Sequence, residues 1–258
     1  MYVLGYKDLG QYASYSGGSW VVGMEPSSRL ASDYLGAIAK TNDATDLTLD
    51  ITIPTGNTYN IIGVCNHNLT SSGTITYQVF SNSGRTTNVY DSGAIAVDAF
   101  PDAVAFPSSL NAFTDQTDIY LRVIISDATN PESFFTIGKI FVGKRFTTAL
   151  NMMYGAQNSV DNSNTVKAKS TGGVAIYTGF QPIRQVQFNL QHMALTEGDE
   201  FYEFMLGTGH FKNVMFQFDE DDSHNGLYTY PGYLEKLTPL QYPIFNRNSA
   251  AYQIREMI

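Results

Sequence analysis

Hydrophobic and polar positions alternate with a period of two along residues 46–80, which is the pattern of strands with one buried face. The first segment alternates Thr and Asp with the aliphatic residues Leu47, Leu49, Ile51 and Ile53. Residues 59–65 are apolar on both faces, which predicts a strand in the middle of a sheet. Residues 74–80 alternate again, and Pro, Gly, Asn and Ser residues separate the three segments. This stretch therefore predicts three strands of a β-sandwich.

Further strands follow at short spacing. Residues 118–126 carry an aliphatic residue at every second position, and residues 134–142 form the next apolar run. Turn residues lie between these runs, and their spacing predicts a jelly-roll-like β-sandwich of about eight strands over residues 20–145. Residues 1–19 are rich in Gly, Ser and Tyr, and we expect them to form an N-terminal arm or, alternatively, an edge segment of the same sandwich.

The character of the sequence changes after this point. Residues 146–171 are rich in Asn, Asp and Ser, which predicts a polar linker or arm at a domain boundary. Residues 172–258 are predicted to form a smaller β-rich domain with one short helix. Within it, residues 172–180 and 182–190 are expected to pair as two strands. The fold class that follows is mainly β.

The short helix has recognisable end signals. Thr196 is the expected N-cap residue, and Asp199 supplies an acid at the third helical position. Gly207 is the expected C-cap. Residues 213–218 and 251–257 are predicted to be further strands of the second domain.

Composition narrows the classes of partner. The 15 basic and 24 acidic residues give a net charge of −9, which argues against nucleic acid because phosphate binding needs clustered Lys and Arg. No run approaches the ~20 apolar residues of a membrane helix, and the N-terminus lacks the pattern of a signal peptide. We therefore expect no membrane partner and synthesis in the cytoplasm. Cys65 is the single cysteine, so no intrachain disulfide forms, and its apolar strand predicts burial.

Candidate chemical groups are sparse. The four histidines have no metal-ligand spacing and are interpreted as ordinary loop residues: His67, His192, His210 and His224. The densest acidic run, Asp219 to Asp222, could offer oxygen ligands to Ca²⁺, but a solvated hairpin loop is the favoured interpretation. Nucleophile and phosphate-loop motifs are missing. The sequence thus predicts a protein that is not an enzyme, with no catalytic, cofactor-binding or metal-binding residue and no cofactor.

The aromatic residues allow two interpretations. Trp20 and the 17 tyrosines could form a platform that stacks on sugars, as in a carbohydrate-binding module. Protein–protein interfaces use the same residues, because Tyr contacts a partner at low entropic cost. With one Trp in the chain, the interface is the favoured interpretation.

Three segments resemble jelly-roll parts of bacteriophage tail and baseplate-like proteins. They are residues 60–69 (NIIGVCNHNL), 72–76 (SGTIT) and 136–143 (TIGKIFVG), where a strand ending in an Asn/His loop precedes a hairpin. The resemblance implies a structural component of the virion, located in the tail. It also implies a homo-oligomeric ring or collar whose partners are copies of itself and other tail proteins.

On that hypothesis, residues 1–19 and 151–171 reach across subunits and become ordered on assembly. The alternative function is a carbohydrate-binding module or receptor-binding adhesin, whose partner is a glycan. A third hypothesis is an enzyme of the glycoside hydrolase or lyase type, centred on Asp219 and Asp222.

Overall fold

The computed structural model describes most of the chain, and the protein folds into two compact units. The described residues are 1–98, 107–153, 155–163, 166–169, 175–178, 181–210, 212–219, 225–237, 239–244 and 247–257. Unit 1 consists of Met1–Thr147 and Asn213–Pro231, and unit 2 of Thr148–Lys212 and Gly232–Met257.

Strands dominate both units. In chain order they are β1 Val3–Tyr6, β2 Ser14–Ser16, β3 Ala39–Lys40, β4 Leu47–Thr52, β5 Tyr59–His67, β6 Thr74–Phe80, β7 Asn88–Ala96, β8 Ser108–Gln116, β9 Tyr120–Ser126, β10 Thr136–Phe146, β11 Gln157–Asp161, β12 Val166–Lys169, β13 Ala175–Thr178, β14 Ile183–Met193, β15 Val214–Gln217, β16 Thr229–Leu237, β17 Gln241–Ile244 and β18 Arg247–Glu256. The helices are α1 Pro26–Arg29, α2 Leu195–Thr208 and α3 Asn225–Tyr228, and Gly10–Tyr12 form a 3-10 turn.

Unit 1 is a sandwich of two antiparallel sheets. One sheet has the strand order β2-β4-β9-β6-β7, and the other has β15-β1-β10-β5-β8, with β3 paired to β10. The alternating aliphatic residues of β4, β6 and β9 meet those of β5 and β10 in one buried core. Burial of one face of each strand thus holds the two sheets together. The predicted fold class, a mainly β protein with a β-sandwich, is confirmed.

Strand β5 occupies a central position, as its apolar sequence predicts. It pairs with β10 on one side and β8 on the other. Cys65 in this strand is fully buried, which confirms the sequence prediction. Its Sγ lies 3.7 Å from Sδ of Met215, and burial raises the pKa of the thiol to about 12.

The N-terminal residues include a strand that lies between two others in a sheet of unit 1. Val3–Tyr6 are all buried and form β1, which pairs with β10 and β15. Gly5 permits the close packing here, because a Cβ at this position would lie 2.1 Å from Cδ1 of Ile61. The strand predicted near residue 213 for the second domain is β15, which belongs to unit 1. Both placements depend on pairing between strands that are more than 130 residues apart in sequence.

Unit 2 is built around β14 and β18. Strand β14 pairs with β11 and β18, and β18 also pairs with β16 and β17. The expected pairing of residues 172–180 with 182–190 is wrong, because β13 pairs with β12 instead. Helix α2 packs on β18, where the rings of Phe201 and Tyr252 meet edge to face with centroids 5.1 Å apart.

Each end of α2 differs from its predicted position by two residues. Ala194 is the N-cap, and Oε2 of Glu197 accepts its backbone N–H at 2.6 Å, so Glu197 has the role expected of Asp199. Gly209, with φ of 57°, follows the last turn and replaces the expected Gly207. The predicted helix itself is present.

Candidate functional site

The sequence-predicted histidines do not come together. His67 lies in β5 of unit 1 and is buried, whereas the exposed His192 and His210 belong to unit 2. Nδ1 of His210 is 2.9 Å from the carbonyl oxygen of Leu234. His224 lies outside the described residues. Within the described ranges, no group of three or more His, Cys, Asp or Glu side chains could hold a metal ion.

The acidic run is described only at its first residue. The carboxylate of Asp219 pairs with the amino group of Met1. Residues 220–224 lie outside the described part of the chain, so the hypothesis of a Ca²⁺ loop also lies outside it.

Trp20 is half-buried and packs against the core of unit 1. Its Nε1 donates a hydrogen bond to the carbonyl oxygen of Gly17 at 2.6 Å. Several tyrosines are likewise core residues: Tyr2, Tyr6, Tyr59 and Tyr77 are buried. The abundance of aromatic residues therefore reflects the sandwich core as well as the surface.

A cleft with a volume of about 760 Å³ opens at one end of the unit 1 sandwich. It lies where β5 ends and β10 begins, and the β5–β6 and β9–β10 loops form its walls together with Met24, Ile38 and Lys40. Its apolar lining consists of Met24, Ile38, Leu69, Pro107, Pro131 and Phe134. Its polar lining consists of Lys40, Asn66, His67, Asn68, Thr70, Ser71, Glu132 and Thr136. The volume lies within the range of about 300–1,000 Å³ that is typical of small-molecule sites.

Asn68 fastens the two loops to each other. Its Nδ2 donates to Oε2 of Glu132 at 2.7 Å and to the carbonyl oxygen of Phe134 at 2.8 Å. Its Oδ1 accepts the backbone N–H of Thr136 at 2.8 Å. Because one amide satisfies three partners on the β9–β10 segment, the wall that carries Glu132 and Phe134 has a fixed position.

Asp127 holds the β5–β6 loop, which forms one wall of the cleft. Asp127 is 2% exposed, and Oδ2 accepts the backbone N–H of Thr70 at 2.7 Å. Its Oδ1 accepts the hydroxyls of Thr70 and Thr129 at 3.0 and 3.1 Å. These bonds use the carboxylate to hold the β5–β6 loop, so Asp127 is a structural residue.

His67 lies in the cleft wall and is 3% exposed. Its Nε2 is 3.1 Å from Oγ of Ser109, and Nδ1 has no hydrogen-bond partner. Burial lowers the pKa of the imidazole to about 4. The ring is therefore neutral at pH 7 and adds no charge to the cleft.

Lys40 and Phe134 form a pair on the wall. Nζ of Lys40 lies 3.5 Å from the centroid of the half-buried Phe134 ring, a cation–π contact. Lys40 and Glu132 are the charged residues of the described cleft lining, and with His67 neutral their charges cancel. The cleft thus combines an apolar aromatic surface, amide and hydroxyl groups, and no net charge.

From the sequence, His67 is an ordinary loop histidine and residues 66–68 are the end of a strand, and no pattern points to Lys40 or Phe134 as site residues. A polar cluster directly after a fully apolar strand was the available signal, because loops at the end of a rigid sandwich commonly carry function. Lys40 gave no such signal, since nearly 30 residues of chain separate it from the cluster.

Comparison with known proteins gives solved structures only: no family model matches, and no curated protein matches. The chitosan-binding module 1 of a chitosanase/glucanase from Paenibacillus sp. IK-5 is 19% identical, with a TM-score of 0.41 over 53% of this chain and 98% of that one. The lectin binding domain of Lectinolysin, complexed with Lewis b, is 11% identical, with a TM-score of 0.41 over 54% and 96%. SpGH29 is 15% identical, with a TM-score of 0.41 over 54% of this chain and 28% of its own length.

The prediction of a phage virion tail protein is therefore wrong. The structures that resemble this chain include a chitosan-binding module and a lectin binding domain, and they are not phage tail proteins. The ring or collar and the virion location belong to the same expectation and are withdrawn with it. Among the described helices, none is both long and apolar enough to cross a membrane.

Proposed function

We propose that this chain is a carbohydrate-binding module or glycan-recognising adhesin, and that the cleft of unit 1 holds the sugar. The observation that carries the proposal is the mixed lining of the cleft, which combines the Phe134 ring and Met24 with the amide oxygen of Asn66, the hydroxyl of Ser71 and the carboxylate of Glu132. A sugar ring is amphipathic in the same way, because it presents C–H faces to aromatic rings and hydroxyls to polar groups.

The charges of the cleft favour an uncharged glycan. Lys40 and Glu132 compensate each other, and His67 is neutral at pH 7 because burial lowers its pKa to about 4. Phosphorylated, sulfated or polycationic ligands would meet no excess of opposite charge in this lining. Neutral sugars need none, since hydrogen bonds and ring contacts provide their affinity.

We also propose that binding is not followed by catalysis. Glycoside hydrolysis ordinarily needs two carboxyl groups about 5 to 10 Å apart on either side of the bond that breaks. Among the described residues that line the cleft, Glu132 is the one carboxylate. The nearby Asp127 uses both oxygens to hold Thr70 and Thr129 and is buried.

The test is a glycan array with the full chain, followed by calorimetry on the strongest uncharged hit. We expect Phe134→Ala to weaken binding at least tenfold, about 1.4 kcal/mol, because it removes the aromatic surface. Phe113→Ala is the matched control. Phe113 is also partly buried, but it packs against Tyr59 and Tyr90 and does not line the cleft. Affinity of this control within twofold of the unaltered chain is expected.

Each outcome has a clear meaning. An array without hits, in the presence and absence of Ca²⁺, would overturn the proposal. Unchanged affinity in Phe134→Ala would assign binding to another surface. Release of reducing sugar from a bound glycan would contradict the absence of catalysis.

A further inference from the structure

Tyr34 is an exposed aromatic residue next to the cleft. Its side chain is 79% exposed, and it lies in the segment between α1 and β3. The neighbouring residue, Leu35, accepts a hydrogen bond on its carbonyl oxygen from Nδ2 of the cleft residue Asn66 at 2.8 Å. The same segment continues into Ile38 and Lys40, which line the cleft. The backbone of Tyr34 is therefore one residue away from a carbonyl group that is hydrogen-bonded to the cleft lining.

The backbone on both sides of Tyr34 is held by buried partners. The fully buried Lys139 places Nζ 3.4 Å from the carbonyl oxygen of Ser32 and 3.4 Å from Oδ1 of Asp33. Nδ2 of Asn213 donates to the same Asp33 oxygen at 3.1 Å. On the other side, the Leu35 side chain is buried. An exposed ring is thus carried on a firmly attached segment.

The close approach to β10 needs a glycine. A Cβ on Gly138 would lie 2.5 Å from the carbonyl oxygen of Leu35, so any larger residue would push the segment away. The adjacent Lys139 keeps its charge, because Asp8 lies 2.9 Å from Nζ. Burial by itself lowers the pKa of Lys139. The nearby carboxylates of Asp8 and Asp33 together raise it by a larger amount, so the pKa of Lys139 lies above its usual value.

An exposed aromatic ring with a fixed backbone is suited to binding. A Tyr side chain presents a large amphipathic surface and loses little conformational entropy when it binds a ligand. Because the backbone of this segment is already held in place, binding does not have to order a loop. Val22, which is 93% exposed, lies two residues before the cleft residue Met24 in the sequence.

We propose that Tyr34 forms a second subsite, and that the ligand is an uncharged oligosaccharide rather than a single terminal sugar. The inference rests on the proposed function. The cleft holds one sugar residue, and the Tyr34 ring stacks on the C–H face of the next residue. Lys139 acts as a positioning residue, because it holds the backbone that carries the ring.

The experiment is calorimetry on the full chain with defined neutral sugars. The probes are glucose, galactose, mannose, fucose and N-acetylglucosamine, together with homo-oligomers of two to four residues of glucose, galactose, mannose and N-acetylglucosamine. For at least one series, we expect the trimer to bind at least fivefold more tightly than the monomer. Tyr34→Ala should abolish this gain and leave the monomer affinity within twofold, and Tyr34→Phe should retain most of the gain.

Tyr12→Ala is the matched control. Tyr12 is also a tyrosine of unit 1 and is 67% exposed, but it is not part of the cleft lining. It should change neither the monomer affinity nor the gain. Equal affinity for monomer and trimer in the unaltered chain would overturn the subsite, as would a gain that survives Tyr34→Ala. Binding to none of these sugars would instead overturn the proposed function, and the subsite with it.

Discussion

Two buried titratable side chains, His67 and Lys139, lie in neighbouring strands of unit 1. They differ in charge, because one is neutral and the other is paired with a carboxylate. His67 remains neutral, because burial without a charged partner lowers its pKa. Lys139 remains charged, because Asp8 supplies a carboxylate at 2.9 Å. The first keeps the cleft uncharged, and the second holds the segment that carries Tyr34.

His67 gives unit 1 a predictable dependence on pH. Its ordinary pKa of 6.5 falls to about 4 in the folded state. Between these values the unfolded chain binds a proton that the folded chain does not, so stability falls as the pH is lowered. The loss reaches about 3 kcal/mol near pH 4. Trp20, the single tryptophan, lies in unit 1 and reports its unfolding by fluorescence in urea.

We expect His67→Gln to lose less stability than the unaltered chain between pH 7 and pH 4.5. The glutamine amide can replace the bond to Ser109 but cannot take up a proton. Carboxylates that titrate in this range affect both proteins equally and cancel in the comparison. Parallel stability curves for the two proteins would contradict the assignment.

At the scale of elements, helix α2 depends on one carboxylate. The carboxylate of Glu197 accepts hydrogen bonds from the backbone N–H groups of Ala194 and Ala149. It therefore caps the helix and also binds the backbone at the start of unit 2. Helices begin with unpaired N–H groups, and a side chain that accepts them supplies about 1 kcal/mol.

Glu197→Ala should therefore destabilise the first turn of α2 by about 1–2 kcal/mol. Hydrogen exchange followed by mass spectrometry should show roughly tenfold faster exchange there. Glu200→Ala is the control: Glu200 is exposed on the same helix, and we expect a change below about 0.5 kcal/mol. Equal acceleration in both variants would mean that Glu197 is not the cap.

Elements were predicted best where one face of a strand is buried. The alternation in β4, β6 and β9 identified these strands, because the period of two follows directly from the pleat. The helix ends were less accurate, since Ala194 is an N-cap that lacks a capping side chain of its own. The pairing of β12 with β13 was missed, because local alternation indicates a strand but not its partner.

At the scale of the whole molecule, the net charge of −9 contrasts with a cleft whose lining charges cancel. Binding of a neutral glycan should consequently depend little on ionic strength. We expect the dissociation constant of the strongest neutral hit to change less than twofold between 50 and 500 mM NaCl in calorimetry. A change of fivefold or more would indicate a charged ligand or a binding surface outside the cleft.

Self-association, expected from the resemblance and from the interpretation of the aromatic residues as an interface, stays a prediction. The sequence predicts a domain boundary at residues 146–171. In the structure, unit 1 ends at Thr147 and resumes at Asn213–Pro231. The chain's return to unit 1 through β15 has no local signal, because only pairing with β1 defines it.

The sequence by itself determined the mainly β class, the central position of β5, the burial of Cys65 and the presence of α2. Each follows from periodicity or from short-range signals within one element. The tertiary structure alone decided that Lys40, Asn68 and Phe134 line one cleft, and that Lys139 supports the backbone beside Tyr34. These groups meet through strand pairing and loop contacts between distant residues, and such contacts leave no local pattern in the sequence.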